Sequence, residues 1–225
     1  MDKILLIDKP AGITSHDVVD RVRRVFGTRQ VGHAGTLDPF ATGLLIIGVG
    51  AATKRLSEYV GMDKTYEATA RLGATSSTFD PEGTITEFVE ALGNAPEGVP
   101  PYAPTRSDIE RAFDKFRGGY EQKAPLHSAK KIGGKKLYEL ARKGLATEEQ
   151  RPSKRVTISS LVISNYSFPL LSFTVTCSSG TYIRSLADDI GRELGCGAYL
   201  TELRRTAIGS YKIEDATAID NLRAS

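Results

Sequence analysis

Cysteine and histidine are scarce in this chain of 225 residues, and their scarcity excludes several chemistries at the outset. Cys177 and Cys196 show no metal-type spacing, and one disulfide would be a poor framework for a chain of this length. A reducing, cytoplasmic setting follows as the default. His16, His33 and His127 are too few for a multi-histidine metal centre, and HExxH, CxxC and GxSxG are all absent. GVGAATK lacks the spacing of a Walker loop. No apolar run approaches the roughly 18 residues that cross a membrane, and MDKILLIDKP lacks the length and cleavage site of a signal peptide. No metal, no cofactor and no membrane partner is expected. Carboxylate chemistry is what remains.

Hydrophobic residues at 40% and charged residues at 25% are ordinary for a globular protein. The net charge of +3 hides an asymmetry. Residues 115–155 hold 12 Lys or Arg against 4 Glu, a local +8 that leaves −5 for the remainder. Such a segment suits a polyanionic partner approached from one side, or a solvated lysine-rich face.

The apolar pattern predicts a buried strand over 3–7 and a helix over 15–26, where Thr14 and Asp17 have capping-box spacing. Residues 44–49 form an apolar run bounded by glycines, which suits a central strand, and 66–72 alternate as a second strand. Residues 76–105 are rich in turn formers and predict short strands between turns. Ser107 and Glu110 have capping-box spacing before Ile109, Ala112, Phe113 and Phe116. A further helix is predicted over 136–143, strands over 156–163 and 171–177, and an amphipathic helix marked by Ile183, Leu186, Ala187, Ile190 and Leu194. There is no internal repeat and no linker. Strands and helices mix without strict βαβ alternation, which predicts an α+β fold.

Asp38 lies in GHAGTLDPFATG, just before the apolar run. Asp before Pro is a common turn dipeptide. Against that, Gly32, Gly35 and Gly43 permit a close approach, and the strand that follows would hold the loop rigid. Arg184 falls in the first turn of a predicted helix, where the dipole disfavours a cation. A nearby anion, either a phosphate or a carboxylate such as Asp38, would account for it.

Five stretches in order, LLIDKPAGITSHDVVDRVRR, VGHAGTLDPFATGLLIIGVGAATK, DKTYEATARLG, CSSGTYIRSLADDIG and YLTELRRTAIG, resemble the motifs of the bacterial TruB family, the tRNA pseudouridine-55 synthases. The resemblance runs from about Ile4 to Tyr211. It implies a pseudouridine synthase fold: a mixed, largely antiparallel sheet flanked by helices, with an inserted basic thumb at about 118–155. It also implies isomerisation of uridine to pseudouridine in the T-arm of tRNA, with the base detached at N1 and rejoined through C5.

By its position in the motif Asp38 would be the nucleophile, through attack on C1′, assistance to a glycal intermediate, or attack on C6. Arg184 would pair with it and keep it ionised. Tyr66 would stack on the base and is a candidate to help remove the C5 proton. Tyr182 would contact the uracil, Leu203 would wall the pocket, and His33 would stack within the T-loop once the uridine is flipped out. Lys9 and Pro10 would shape the first loop. Lys130, Lys131, Lys135 and Lys136 of the thumb would bind phosphates. Where relatives carry Tyr or Phe before Ser-Ala, this chain has His127.

The expected organisation is a single catalytic domain over 1–225 without a C-terminal PUA domain, acting as a monomer on tRNA with no obligate protein partner. Two rivals stand beside it: the guide-RNA-dependent branch of the superfamily, which works inside a ribonucleoprotein, and a non-enzymatic RNA chaperone on the same surface. The length of 76–154 and its thumb favour the stand-alone enzyme.

Overall fold

The computed structural model describes residues 2–87, 103–126 and 151–223, with the isolated positions 128, 131–132, 135–137 and 147. The strands are β1 (Lys3–Lys9), β2 (Val31–Ala34), β3 (Thr42–Val49), β4 (Lys64–Leu72), β5 (Ala74–Ser76), β6 (Ile85–Glu87) and β7 (Gly118–Lys123). They continue with β8 (Lys131–Ile132), β9 (Lys135–Lys136), β10 (Ser153–Ser167), β11 (Leu170–Cys177), β12 (Ala198–Ile208), β13 (Tyr211–Lys212) and β14 (Thr217–Ala218). The helices among the described residues are α1 (Ser15–Phe26), α2 (Leu56–Val60), α3 (Arg106–Phe116) and α4 (Ile183–Glu193). None of them is long and apolar enough to cross a membrane. The chain divides into two compact units: Met1–Glu67 with Val175–Ser179 and Glu202–Ser225, and Ala68–Thr174 with Gly180–Thr201. The architecture is α+β, as expected.

In the first unit, β14, β1, β3, β12 and β4 follow one another across the sheet. One edge of β3 is taken by antiparallel β1 along its length, from Lys3↔Val49 to Lys9↔Gly43. The other edge is shared. β2 pairs antiparallel with residues 46–49 of β3, and β12 pairs parallel at Arg204↔Thr42 and Arg205↔Gly43. A seam is left between them, and the 35–41 loop leaves the sheet there.

β3 is an unbroken apolar run because both its faces are covered. Leu45, Ile47 and Val49 pack with Ile7 and with Val18, Val19 and Val22 of α1. Leu44 and Ile46 pack with Ala34, Tyr59 and Ile208. The α1 helix begins as its sequence predicts, with a capping box between Thr14 and Asp17, and it ends on left-handed Gly27.

In the second unit the order is β4, β11, β10 and β7, with β5 and β6 as a separate hairpin. Phe113 of α3 meets Phe173 of β11 edge to face at 5.8 Å. The α3 cap corrects an expectation. Thr105 and Asp108 form the box, two residues before the Ser107 and Glu110 pair, because Thr105 is the residue with extended backbone. Lys136 lies in β9 rather than at the start of a helix, and residues 138–143 lie outside the described residues. The eleven-residue β12 was not foreseen as a strand.

Gly43 sets the β3–β12 contact. Its φ is +104°, and a Cβ there would stand 2.3 Å from the Arg205 carbonyl oxygen and 2.7 Å from the Arg205 nitrogen. Both are backbone atoms that cannot swing away. Gly43→Ala is expected to lower the unfolding free energy by about 3 kcal/mol, measured by urea denaturation. A midpoint equal to that of the native chain would show that β12 does not need this close approach.

Candidate active site

Asp38 lies on the loop joining β2 to β3, and the backbone of that loop is held from three sides. Lys9, fully buried at the end of β1, donates from Nζ to the carbonyls of Pro10 (2.9 Å), Ile13 (2.7 Å) and Pro39 (3.2 Å). It shapes the first loop, as its sequence suggests, and reaches the Asp38 loop as well. Ser15, the first residue of α1, accepts from the Leu37 N–H at 2.8 Å and donates to the Leu37 carbonyl at 3.1 Å. Arg205, 1% exposed, donates from Nε to the Leu44 carbonyl at 2.8 Å. Its terminal nitrogens donate to the carbonyls of Gly35 (3.0 Å) and Thr36 (3.4 Å). Asp38 is half-buried, and the Ala41 N–H closes on its carbonyl at 3.1 Å.

Tyr66 is buried in β4. Burial pushes its phenol up, with the charge of Asp38 adding to the effect and the charge of Arg205 opposing it, so the phenol is neutral at pH 7. Two residues earlier, buried Lys64 donates from Nζ to the carbonyls of Met62 (2.6 Å), Val60 (2.7 Å) and Tyr59 (3.4 Å). Burial first, and then the charge of Arg205, lower its ammonium to about 8. His33, in β2, is half-buried, and its Nδ1 is buried with no hydrogen-bond partner among the described residues. Burial, then Arg205 and His16, hold its imidazole below the ordinary value, so the ring is neutral at pH 7. Leu203 is buried in β12. Asp38, Tyr66, His33 and Leu203 thus share the first unit.

Tyr182 and Arg184 belong to the second unit. Tyr182 is the N-cap residue of α4, and both of its backbone polar groups meet buried Gln122. Its N–H donates to Gln122 Oε1 at 2.8 Å, and Gln122 Nε2 donates to its carbonyl at 3.0 Å. Arg184 is buried in the first turn of α4, and within this unit its anion is Asp80. The guanidinium donates to Asp80 Oδ2 at 2.7 Å and to the Thr78 carbonyl at 3.0 Å. Asp80 in turn accepts from the Thr78 hydroxyl and, at 3.0 Å, from the Glu82 N–H. The preceding residue, Phe79, is held at φ +64°, with the guanidinium of Arg151 5.1 Å from its ring centroid. A cavity of about 640 Å³ opens beside this loop, lined in part by Ser76, Phe79, Asp188 and Arg192. Among the described residues, no expected site residue lines it.

Lys131, Lys135 and Lys136 lie on the β8–β9 hairpin, with Lys131 opposite Lys136. Lys130 and His127 lie outside the described residues. Sequence reasoning missed Ser15, Asp80, Gln122 and Arg205. Asp80 did carry a signal, since TFDPEG repeats the Asp-Pro of TLDPF. Arg205 carried none, because Arg204 and Arg205 together break the apolar alternation of their strand.

Residues 23–183 match the N-terminal domain of the TruB family pseudouridylate synthases, and residues 184–225 match the C-terminal domain of tRNA pseudouridylate synthase B. The chain is 45% identical over 212 residues to tRNA pseudouridine synthase B of Chlamydia abortus, covering 94% of this chain and 84% of that protein. It is 42% identical over 225 residues to the enzyme of the same name from Opitutus terrae, covering all of this chain and 88% of that one. Among solved structures, Cbf5 in a Cbf5-Nop10-Gar1 complex aligns with a TM-score of 0.71 at 28% identity over 97% of this chain. This chain spans about half of that one, 53% of its length.

Two measurements test the electrostatics. Asp80→Asn leaves Arg184 without its charged partner in this unit and should lower the unfolding free energy by about 3 kcal/mol. A loss typical of an exposed pair, below about 1 kcal/mol, would contradict a buried pair. Lys64 has a folded value of about 8 against 10.5 for the free side chain, so the unfolded chain holds the extra proton between them. Stability should therefore rise with pH across that window. The native chain should gain on Lys64→Met between pH 8 and 10.5 in thermal unfolding, and a constant difference would refute the depressed value.

Proposed function

The chain belongs to the TruB family of pseudouridylate synthases, and from that membership we propose that it converts uridine 55 in the T-arm of tRNA to pseudouridine, with Asp38 as the nucleophile. The coarser activity, pseudouridine synthesis on tRNA, follows from the family and from relatives of that name that match nearly the whole chain. The single observation that supports the finer reading is the loop of Asp38, whose carbonyls before and after the carboxylate are tied to buried cations. A carboxylate that must meet one atom of a flipped nucleotide needs that rigidity.

In this reading Tyr66 stacks on the base. Its raised phenol makes it a weak acceptor for the C5 proton in the free enzyme. The neutral ring of His33 suits stacking in the T-loop rather than phosphate pairing. Tyr182 contacts the uracil, Leu203 lines the pocket, and Arg184 steadies the reacting carboxylate. Lys130, Lys131, Lys135 and Lys136 hold phosphates. The reaction is an isomerisation: the C5 proton leaves to solvent and N1 takes one up, so the composition of the uridine is unchanged and the chemistry calls for no redox partner.

We assign the chain to the stand-alone branch, as a cytoplasmic monomer that needs no guide RNA. Identity of 45% to tRNA enzymes against 28% to a Cbf5 chain favours this over the ribonucleoprotein branch. The test is tritium release from C5-labelled uridine in a bare T-arm stem-loop, comparing the native chain with Asp38→Asn. Release by the native chain alone is expected. Equal release from both would remove Asp38 as nucleophile, and binding without release from either would favour an RNA-binding module.

A further inference from the structure

We infer that Arg205 is a positioning residue for the reaction: its guanidinium locks the Asp38 loop to the sheet, so that the carboxylate is presented in one place. The inference rests on the reading of Asp38 given above and adds a residue to it.

The need arises from the topology. Along one edge of β3, β2 pairs with residues 46–49 and β12 with residues 42–43, so the carbonyl of Leu44 falls in the seam between two partners. The chain also leaves β2 at this seam, which frees the carbonyls of Gly35 and Thr36 from the ladder. Without a donor at the seam, the buried Leu44 carbonyl and the partly buried carbonyls of Gly35 and Thr36 would lose their protein partner together. The Arg205 side chain, on the strand that borders the seam, donates to all three.

The fork geometry is what makes this work. Nε and the two terminal nitrogens lie in one plane and point at fixed angles, so three carbonyls satisfied together define the path of the backbone between them. Residues 35, 36 and 44 bracket Asp38. A lysine carries the same charge but has a single nitrogen on a flexible stem, which suits convergent acceptors better than a spread row. The guanidinium also lies close enough to Tyr66 and His33 for its charge to act on both. One side chain thus braces the loop of the carboxylate and biases the two rings. Being 1% exposed, it is suited to this bracing rather than to direct contact with RNA.

The experiment uses Arg205→Lys in the full chain, with two readouts. The first is amide hydrogen exchange without RNA, which does not depend on what Asp38 does. The Leu37 and Ala41 amides, donors to Ser15 and Asp38 within the loop, should lose protection, while the β7–β10 ladder keeps its own. The second is single-turnover pseudouridine formation, which should fall by about 100-fold with the affinity for the T-arm stem-loop unchanged.

Loss of protection throughout the chain would make Arg205 a general core strut and overturn the inference. A loosened loop with full turnover would overturn it too. If the lysine variant does not fold, the Arg205 Nε–H of the native chain serves instead, observed by nitrogen-15 NMR. It should exchange slowly and shift when the stem-loop binds, and rapid exchange or an unmoved signal would sink the proposal. Should Asp38→Asn stay active, the nucleophile reading fails, while the exchange readout still judges the clamp.

Discussion

Three cations are withdrawn from water in the first unit, and the loops of that unit are wound around them. Lys9 donates to the carbonyls of Pro10, Ile13 and Pro39, Lys64 to those of Met62, Val60 and Tyr59, and Arg205 to those of Gly35, Thr36 and Leu44. Removing a charge from water costs several kcal/mol unless its hydrogens are satisfied. Each cation therefore tolerates only a narrow set of backbone paths, since a loop that drifts leaves both a bare charge and bare carbonyls. The price is visible at Lys64, whose ammonium is lowered to about 8. Lys9 and Arg205 approach the Asp38 loop from opposite ends of the sequence, which is how a loop with three glycines among its flanking residues becomes rigid.

The two Asp-Pro dipeptides show why turn and function are poor alternatives. Asp38 and Asp80 both have a carbonyl that meets an N–H three residues on, from Ala41 and Gly83. The backbone carbonyl closes the turn in both, and at Asp80 the carboxylate adds to it, accepting on Oδ1 from the Thr78 hydroxyl and the Glu82 N–H while Oδ2 serves a second partner. At Asp80 it meets Arg184, a cation placed where the dipole of α4 disfavours it, so the counter-charge comes from a turn over one hundred residues earlier. Phe79 beside it sits in a left-handed conformation that bulky residues avoid. Strain of that kind persists only where neighbours over-determine the backbone, and the Ser76, Thr78 and Asp80 hydrogen bonds do so here.

Local pattern made part of this legible. The α1 helix and its capping box could be read from spacing, because both partners of the box lie within one turn. The double burial of β3 showed as an unbroken apolar run, and the TruB motifs pointed to the Asp38 loop. What stayed hidden depends on distant partners. In α3 two overlapping pairs had box spacing, and the choice fell to the pair whose first residue is extended. β12 carries Arg204 and Arg205 in its middle, which spoils the alternation that marks a strand. The first is held by Asp8 and the second by loop carbonyls more than 160 residues away, and no window of sequence contains both ends.

The electrostatic division of the molecule follows the demands of an isomerisation. Detaching and rejoining a base inside one pocket yields no product to expel between the two steps, so the fragments must be kept from diffusing rather than driven apart. Neutral aromatic surfaces suit that task, and in the reading proposed above a base turning over Tyr66 or beside His33 would meet an uncharged ring. Fixed charge belongs on the parts that must not move. Among the described residues it is found there, in buried Lys9 and Arg205 behind the loop and in the Arg184–Asp80 pair at the start of α4. The surplus of positive charge is concentrated in residues 115–155 of the sequence, which suits a polyanionic partner. A site arranged in this way depends on placement more than on acid or base strength. With Asp38 as the proposed nucleophile, its weak point is the backbone that carries that carboxylate, and a change that loosens the backbone would slow the reaction even with every group that touches the uridine intact.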